Sequence, residues 1–453
     1  MADDVGHDAL TNETVELLQA MIRNECVNTG YPESGNEIRN VDLLETFLEG
    51  PGVEIQKYEP TPNRSSLVAR LEGTDPNAPK VCLMGHTDVV PVSPEGWDED
   101  PFAGEIIDGE VWGRGAVDML NLTSSMAVAF RHLARTDFRP KGDLIYFAVA
   151  DEEAGGGHGA GWFANNEYDP IAADYVLTES GGIPLPGSGE PRLAMTVAEK
   201  GIGWRKIVVH GTPGHGSRPF RADNALVTAA EVIRRLVEYR PNPLLTEIWT
   251  GQVEALGYEG EMKAALLDPA RVFDAIDSIE NDATAARLHA CTHTTFSPNM
   301  AQGGTKHNTI PDRVSINVDI RTLPGETSDD VEAHMRAALG DLYHRVEVVP
   351  VHEDPSTASP IDTPMWATLT ELAGRKYPGV RLVPTMTTGG TDSRFYRAKG
   401  AVAYGAGLFS EDVTYETFSS RFHGNNERID IESLALTTQM WLGVAERFWD
   451  VAG

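Results

Sequence analysis

The N-terminal portion of the chain alternates between short apolar runs and helix-like segments. The run LIYFAVA at Leu144–Ala150 is rich in β-forming residues and too short for a typical helix, so it predicts a buried strand. The segment 123–135 carries apolar residues at Met126, Phe130 and Leu133, and its opening Thr-Ser-Ser predicts a helix N-cap. Alternation of this kind predicts an α/β domain whose strands are covered on both faces.

A glycine- and proline-rich stretch, 181–192, interrupts this pattern. Beyond it the chain reads as strand, helix, strand and helix, at 204–211, 224–240, 313–322 and 329–343. This order after a clear break predicts a second, smaller α+β domain.

The remaining segments indicate how the two domains are connected. Residues 241–292 predict a helical insertion, and 352–364 are a second loop-like break. A strand-like segment at 401–407 then resumes the first pattern. We therefore expect a catalytic domain formed by residues 1–197 together with residues 356–453, and a smaller domain at 198–355 that is inserted between these two segments.

Length and charge exclude several classes of protein. At 453 residues the chain is longer than single cores usually grow, which agrees with two domains. The net charge of −31 repels phosphate backbones and argues against nucleic acid as a partner, while it suits a site that holds cations. Because no apolar run approaches the ~18 residues needed to span a bilayer, we expect no membrane partner.

The cysteines and the N-terminus indicate the compartment. Cys26, Cys82 and Cys291 are odd in number and far apart, so neither a disulfide framework nor a CxxC metal site is available. The opening MADDVGHDAL lacks the basic and apolar regions of an export signal. We therefore expect a cytoplasmic protein.

Acidic and imidazole side chains recur where the predicted elements end. They are His86, Asp118, Glu152, Glu153, Glu179 and His423. Because ligands gather at the carboxyl ends of strands in an α/β layer, we expect these side chains to share one site. Oxygen and nitrogen donors without thiolates suit Zn²⁺, with Mn²⁺ or Co²⁺ as substitutes.

Two short stretches within this set predict separate roles for neighbouring side chains. In GHTD, Asp88 follows His86 by two residues, so we expect its carboxylate to accept a hydrogen bond from the imidazole and fix its tautomer. In DEE, Glu152 and Glu153 follow a strand, in which successive side chains alternate faces. We therefore expect the two glutamates to do different work.

The motifs GHTDVVP, GRGAVDM, DEEAGG, TESGG and FHGNNE resemble the M20 family of dinuclear zinc peptidases and acylases. The resemblance implies a mixed-sheet zinc-peptidase catalytic domain with an inserted smaller α+β domain that serves as a lid or for dimerisation. It implies two Zn²⁺ per chain, bridged by Asp118. His86 and Glu179 would complete one metal site, and Glu153 and His423 the other. Glu152 would be the general base.

The resemblance extends to residues outside the metal set. It implies a cis peptide bond at Asp118–Met119 and a catalytic role for Asp88 beside His86. His215 in HGTPGHGSRP would stabilise the oxyanion. Substrate contacts would come from Asn308 and Arg321, which grip a free α-carboxylate, and from the loop residues Gly389, Gly390 and Thr391.

These features predict an aminoacylase, which cleaves the amide bond of N-acyl-L-amino acids through a hydroxide held between the metal ions. The alternative is a dipeptidase or carboxypeptidase, because a short peptide offers the same α-carboxylate. A more remote alternative is a binding homologue without activity. The stretch GGGHGA at 155–160 also fits a dinucleotide motif, but the acids at 151–153 would repel pyrophosphate. A homodimer through the inserted domain is expected from the resemblance.

Overall fold

The computed structural model describes residues 2–31, 33–186 and 189–452 of the chain, excluding the side chains of residues 2–8 and 283. Within these ranges the helices are α1 (Ala2–Arg23), α2 (Ile38–Leu48), α3 (Leu120–Ala134), α4 (Ala160–Asn166), α5 (Ala225–Glu238), α6 (Glu247–Ala255), α7 (Gly260–Leu266), α8 (Val272–Asp277), α9 (Asp282–Ala290), α10 (Ser328–Leu339), α11 (Pro364–Lys376), α12 (Ser393–Arg397), α13 (Tyr415–Arg421) and α14 (Ile431–Val451).

The strands within the same ranges are β1 (Glu54–Thr61), β2 (Arg64–Leu71), β3 (Val81–His86), β4 (Ile106–Ile107), β5 (Glu110–Trp112), β6 (Leu144–Val149), β7 (Tyr175–Thr178), β8 (Gly181–Pro184), β9 (Arg192–Glu199), β10 (Gly201–His210), β11 (Gly214–His215), β12 (Thr295–Gly303), β13 (Thr309–Ile310), β14 (Arg313–Thr322), β15 (Val346–Asp354), β16 (Thr357–Ala358), β17 (Arg381–Thr387), β18 (Val402–Gly405) and β19 (Arg428–Asp430). None of the described helices is both long and apolar enough to cross a membrane.

The chain divides into two compact units. The first comprises Met1–Val197, Ser359–Thr385 and Thr391–Gly453, and the second comprises Ala198–Ala358 and Met386–Gly390. The role of the second unit as a lid or dimerisation domain stays a prediction.

The first unit contains a mixed sheet in the order β1-β2-β6-β3-β7-β18. β1, β2 and β6 pair antiparallel, whereas β6, β3, β7 and β18 run parallel. Every residue of β3 and β6 is buried, as expected for parallel strands covered on both faces. The predicted α/β class is confirmed, and the carboxyl ends of the parallel strands meet at one edge of the sheet.

Helix α3 begins earlier than its sequence suggests. The prediction that Thr123-Ser124-Ser125 caps the helix was wrong, because the helix starts at Leu120 and all three hydroxyl residues lie buried inside it. Each hydroxyl donates a hydrogen bond to a backbone carbonyl three or four residues earlier, at 2.9–3.1 Å. Back-bonding of this kind satisfies a buried hydroxyl without a cap.

The second unit contains an antiparallel sheet in the order β12-β14-β10-β15. β14 alternates between buried and less buried residues, which is the pattern of a sheet with one face on a core. Helices α5 and α10 supply Val232 and Met335 to that core, against Ile207 and Ile316 of the sheet. Residues 241–292 contain the short helices α6 to α9, so the predicted helical character of this segment is confirmed.

Candidate metal centre

Three parallel strands bring acidic and imidazole side chains to one edge of the first unit's sheet. His86 is the last residue of β3 and pairs in register with Val149 of β6. The loop after β6 carries Glu152 and Glu153, and Glu179 directly follows β7. The order of the strands therefore brings together residues that are nearly a hundred positions apart in sequence.

Asp118 lies between two imidazoles, with one carboxylate oxygen toward each. Nε2 of His86 is 3.2 Å from Oδ1, and Nε2 of His423 is 2.8 Å from Oδ2. The same nitrogen of His423 is 3.3 Å from Oε2 of Glu153. The side chains of Asp118 and Glu153 are only 4% exposed, whereas that of His423 is 48% exposed and borders solvent. The carboxylate of Asp118 is therefore shared between the two imidazoles. The Asp118–Met119 peptide bond is cis, as expected.

Among the residues that the structure describes, two groups of possible metal ligands share His86. One joins His86, Glu152 and Glu179 and the other joins His86, Asp118 and Glu153, with ligand atoms within 4.8 Å of one another in each group. Neither group contains a thiol. Oε1 of Glu153 is buried and has no hydrogen-bond partner. Because an unpartnered buried carboxylate oxygen is costly, and because nitrogen and oxygen donors suit zinc, the residues present fit a zinc site.

The electrostatics of the cluster also favour a bound metal ion. Burial and the neighbouring Glu179 raise the pKa of Glu152 well above its usual range, and burial with Asp118 does the same to the pKa of Glu179. Burial raises the pKa of Glu153 to about 7. These carboxyl groups lie too close together to ionise at once without a cation, and a divalent metal ion would provide that charge.

The imidazoles stabilise Asp118 in its ionised form. Burial acts to raise the pKa of Asp118, but hydrogen bonds from His423 and His86 hold it below its usual range. In return, hydrogen bonds to Asp118 and Glu153 raise the pKa of His423 to about 10. Metal binding would displace the protons from these imidazoles, so metal affinity depends on pH.

Comparison with known proteins identifies the family. The model of peptidase family M20/M25/M40 matches residues 82–447. The chain belongs to this family. It is 28% identical over 385 residues to the probable carboxypeptidase S-like 2 of Dictyostelium discoideum, which covers 81% of this chain and 71% of that protein. It is 27% identical over 413 residues to aminoacylase-1 of Sus scrofa, with 89% of each chain covered.

Solved structures show the same fold. The M20 metallo-carboxypeptidase Sso-CP2 of Sulfolobus solfataricus aligns with a TM-score of 0.74 at 18% identity, covering 97% of this chain and 99% of that one. YXEP of Bacillus subtilis, a dinuclear metal binding M20 peptidase, aligns with a TM-score of 0.61 at 16% identity and 98% coverage of both chains. With the family match over residues 82–447, the chain is a hydrolase of the metal-dependent M20 family.

The carboxylate of Asp88 binds the loop that carries Glu152 and Glu153, and it does not bind the imidazole of His86. This differs from the expectation drawn from GHTD. Nδ1 of His86 donates to the backbone carbonyl of Asp88 at 2.9 Å, and the Asp88 carboxylate is farther away at 3.6 Å. That carboxylate accepts the backbone N–H groups of Glu152 and Glu153 at 3.3 and 3.1 Å. The tautomer of His86 is fixed, but by a main-chain acceptor.

The side chains of Glu152 and Glu153 point in different directions. The cause is not the alternation along a strand that was predicted. The strand ends at Val149, and Glu152–Ala154 form a single 3₁₀ turn entered through Asp151 at φ 72°. Strand alternation therefore does not apply to them. Consecutive residues of a 3₁₀ helix point roughly 120° apart, which separates the two side chains.

Sequence reasoning missed two residues that position Asp118. Glu427 is fully buried and accepts the backbone N–H groups of Val117 and Asp118 at 2.7 and 3.0 Å. Its other oxygen pairs with Nη1 of the buried Arg114 at 2.6 Å. The signal was present in the sequence, because Arg114 lies in GRGAVDM and Glu427 in FHGNNE, the motifs that supply Asp118 and His423.

The second unit brings His215, predicted to be catalytic, close to Asn308, predicted to bind substrate. His215 in β11 pairs with Thr309 in β13, and the N–H of Gly216 donates to the carbonyl of Asn308 at 2.8 Å. His215 is exposed, with Nδ1 at 2.8 Å from Oγ of Ser217.

Arg321 lies at the end of the long strand β14. Its Nε and Nη2 are 2.8 and 3.3 Å from the two carboxylate oxygens of Asp319. Asp319 in turn accepts a hydrogen bond from the indole of Trp204 at 2.8 Å, so the guanidinium is held in one direction.

The predicted glycine-rich loop makes its own internal contacts. The N–H of Gly389 donates to Oγ1 of Thr387 at 3.3 Å, and Oγ1 of the buried Thr391 accepts the N–H of Ser393 at 3.2 Å. Gly389 and Gly390 belong to the second unit and Thr391 to the first. The role of this loop in substrate binding stays a prediction.

Proposed function

We propose that this protein is a zinc-dependent aminoacylase that hydrolyses N-acyl-L-amino acids to a carboxylic acid and a free amino acid. The observation that carries the proposal is the pair of ligand groups around His86 with the carboxyl of Glu152 among them. The similarity to aminoacylase-1 over 89% of both chains supports the substrate class.

In this proposal each chain holds two Zn²⁺, which Mn²⁺ or Co²⁺ can replace. Asp118 would contribute to both ligand sets, because its two carboxylate oxygens lie beside different imidazoles. His86 and Glu179 complete one ligand set, and Glu153 and His423 the other. When bound, the metal ions polarise the substrate carbonyl and lower the pKa of the attacking water.

Glu152 acts as the general base. Burial and Glu179 raise the pKa of its carboxyl well above its usual range, which favours proton uptake by this group. It takes a proton from the water as oxygen attacks the carbonyl carbon, and it passes that proton to the nitrogen as the amide C–N bond breaks. Asp88 acts through the backbone, because its carboxylate holds the N–H groups of Glu152 and Glu153.

Residues of the second unit bind the rest of the substrate. His215 donates a hydrogen bond to the negative oxygen that develops on the carbonyl. Arg321, directed by Asp319, binds the α-carboxylate together with Asn308. Gly389, Gly390 and Thr391 complete the substrate loop. The inserted domain, predicted at 198–355, also joins two copies of the chain into a homodimer.

The free state of all three cysteines supports a reducing compartment, and the proposed location is the cytoplasm.

A dipeptidase or carboxypeptidase is the second candidate. The similarity to the probable carboxypeptidase S-like 2 of Dictyostelium discoideum favours it. Both candidates use the same carboxylate contacts, and they differ in what occupies the acyl side of the scissile bond.

The test measures methionine released from N-acetyl-L-methionine and from alanyl-methionine by the zinc-loaded protein. The leaving group is identical, so the ratio of kcat/KM values reports the acyl pocket alone. An aminoacylase prefers the acetyl compound. Preference for the dipeptide would replace the proposal by the peptidase, and cleavage of neither would reject both substrate classes.

A further inference from the structure

A buried ionic cluster lies directly behind the loop that carries Glu152 and Glu153. At its centre is Arg64, the first residue of β2, whose side chain is 1% exposed. Nη1 of Arg64 is 2.8 Å from Oε1 of Glu37 and 3.2 Å from Oδ1 of Asp151. The site described above uses neither Arg64 nor Glu37.

Asn28 connects Arg64 to Asp88. The side-chain carbonyl of Asn28 accepts a hydrogen bond from Nη2 of Arg64 at 3.1 Å. Its amide group is 2.8 Å from Oδ2 of Asp88 and 3.1 Å from Oδ1 of Asp151, and donates to both. Because Asp88 accepts the N–H groups of Glu152 and Glu153, a continuous chain of polar contacts runs from Arg64 to the two glutamates.

The same cluster holds the backbone where the loop leaves β6. Asp151 has a φ of 72°, in the left-handed region that non-glycine residues rarely adopt. Its N–H donates to Oε1 of Glu37 at 3.2 Å, and its Oδ2 accepts the N–H of His158 at 2.8 Å. These contacts fix both sides of Asp151, so the direction of the following turn depends on the cluster.

Glycine at position 35 makes room for the ion pair. A Cβ there would lie 2.3 Å from Nη1 of Arg64 and 2.6 Å from Oε2 of Glu37. Gly35 also has a φ of 87°, which disfavours any other residue. The loop 33–37 is thus shaped around Arg64 and Glu37.

We propose that Arg64 is a positioning residue for the reaction: through Asn28, Asp88 and Asp151 it sets the direction of Glu152 and Glu153. The inference rests on the proposed function for the roles of those two glutamates. One guanidinium faces three buried carboxylates, those of Glu37, Asp88 and Asp151, directly or through Asn28. Without it, their repulsion would shift the turn that carries the base and a metal ligand.

The test compares Arg64→Met and Arg64→Lys with Arg70→Met in the full-length protein. Arg70 lies in the same strand and pairs with Asp143 at 2.8 Å, away from the loop, which makes it a matched control. Zinc affinity is measured by competition with a chromophoric chelator, and kcat and KM are measured with N-acetyl-L-methionine.

We expect Arg64→Met to lower kcat, and zinc affinity, by about 10- to 100-fold relative to Arg70→Met, while KM changes by less than about 3-fold. Arg64→Lys restores the charge without the fork, so its kcat lies between the two. Values for Arg64→Met that equal those of Arg70→Met would overturn the proposal, as would a lysine variant no better than the methionine variant.

Asn28→Ala covers the case in which Arg64→Met does not fold. It breaks the connection to Asp88 and leaves the pairs of Arg64 with Glu37 and Asp151 in place, and it is expected to lower kcat by about 10-fold. Unchanged kcat in this variant would overturn the proposal. If the wild type cleaves no N-acyl amino acid, the proposed function fails, and zinc affinity alone then decides on Arg64.

Discussion

Glu427 accepts three hydrogen bonds while fully buried, from Val117, Asp118 and Arg114. One of its carboxylate oxygens accepts the N–H groups of the two peptide bonds that flank Val117. The other oxygen neutralises Arg114, which is itself only 2% exposed. The direction of Asp118 toward His86 and His423 therefore depends on an ion pair that does not touch either imidazole ring.

Glu427→Gln is expected to lower the free energy of unfolding by about 3 kcal/mol, because it leaves a buried guanidinium without its counter-charge. Urea denaturation of the metal-free protein measures the change. Glu371→Gln is the control, since Glu371 is 41% exposed and pairs with Arg375 and Arg447 at the surface, where ion pairs contribute little to stability. Equal losses in the two variants would show that burial of the Glu427 pair does not matter.

The side chains that surround Asp118 could be predicted because their chemistry is unusual at strand ends. His86, Glu153 and His423 contact it or share its ligand group. The role of Asp88 could not be predicted, because spacing in sequence does not tell a backbone carbonyl from a carboxylate two atoms away. Arg114 and Glu427 were missed because buried ion pairs look like ordinary surface charges in a sequence.

Helices α8 and α9 contact a buried imidazole of the second unit, that of His293. His293 is 5% exposed, and its ring meets those of His289 and Phe273 edge to face at 4.3 and 5.1 Å. Burial, with His289 and Lys200 nearby, lowers its pKa to about 3. The folded protein thus requires this histidine to be neutral.

This requirement makes stability depend on pH. Below about pH 6.5 the unfolded chain binds a proton at His293 that the folded chain does not, so this residue's contribution falls as pH falls. Between pH 8 and pH 5 the loss is about 2 kcal/mol.

His293→Gln removes this proton-binding difference. Unfolding free energies of wild type and His293→Gln at pH 8 and pH 5 measure it, and the wild type should lose about 2 kcal/mol more than the variant. His210→Gln, at a 58% exposed position, is the control and should behave like wild type. Parallel pH profiles for wild type and His293→Gln would contradict the account.

Periodicity predicted several of the strands and helices, including the alternating strand β14 and the fully buried β6, but not the strands β9, β12, β15 and β17. Predictions from periodicity were wrong where tertiary contacts, and not the local sequence, determine the structure. Helix α3 is enclosed on all sides at its start, so its Thr and Ser residues are internal and not caps. The turn at Glu152–Ala154 is set by contacts of Asp88 and Asp151 with its backbone, which no local pattern reveals.

Metal binding should stabilise the whole molecule, because the folded state gathers carboxylates that lack a cation. Zinc at about 1,000 times its dissociation constant adds roughly 4 kcal/mol to stability by mass action. Thermal unfolding with zinc or with a chelator measures this, and the midpoint should be higher with zinc.

Magnesium serves as the control for the zinc effect. Mg²⁺ prefers all-oxygen octahedral sites and binds imidazole poorly, so it should not restore the midpoint after chelation. A midpoint that is the same with zinc and with chelator would mean that the two ligand groups do not hold metal.

The two-unit arrangement shows what sequence alone could supply for the molecule as a whole. The break at 181–192 and the change to an α+β pattern indicated a second domain before any contacts were known. The return of the chain for residues 386–390 to the second unit was not predictable, because five residues carry no pattern of their own.

The most direct test of the central claim is zinc binding and turnover by Glu152→Gln, with the exposed Glu49→Gln as control. The account predicts that Glu152→Gln still binds two zinc ions per chain and that its kcat for N-acetyl-L-methionine falls by at least about 100-fold. Glu152 shares a ligand group with His86 and Glu179, so the alternative role for Glu152 is that of a metal ligand. Loss of one zinc ion would make Glu152 a metal ligand, and retained turnover would contradict its role as the base.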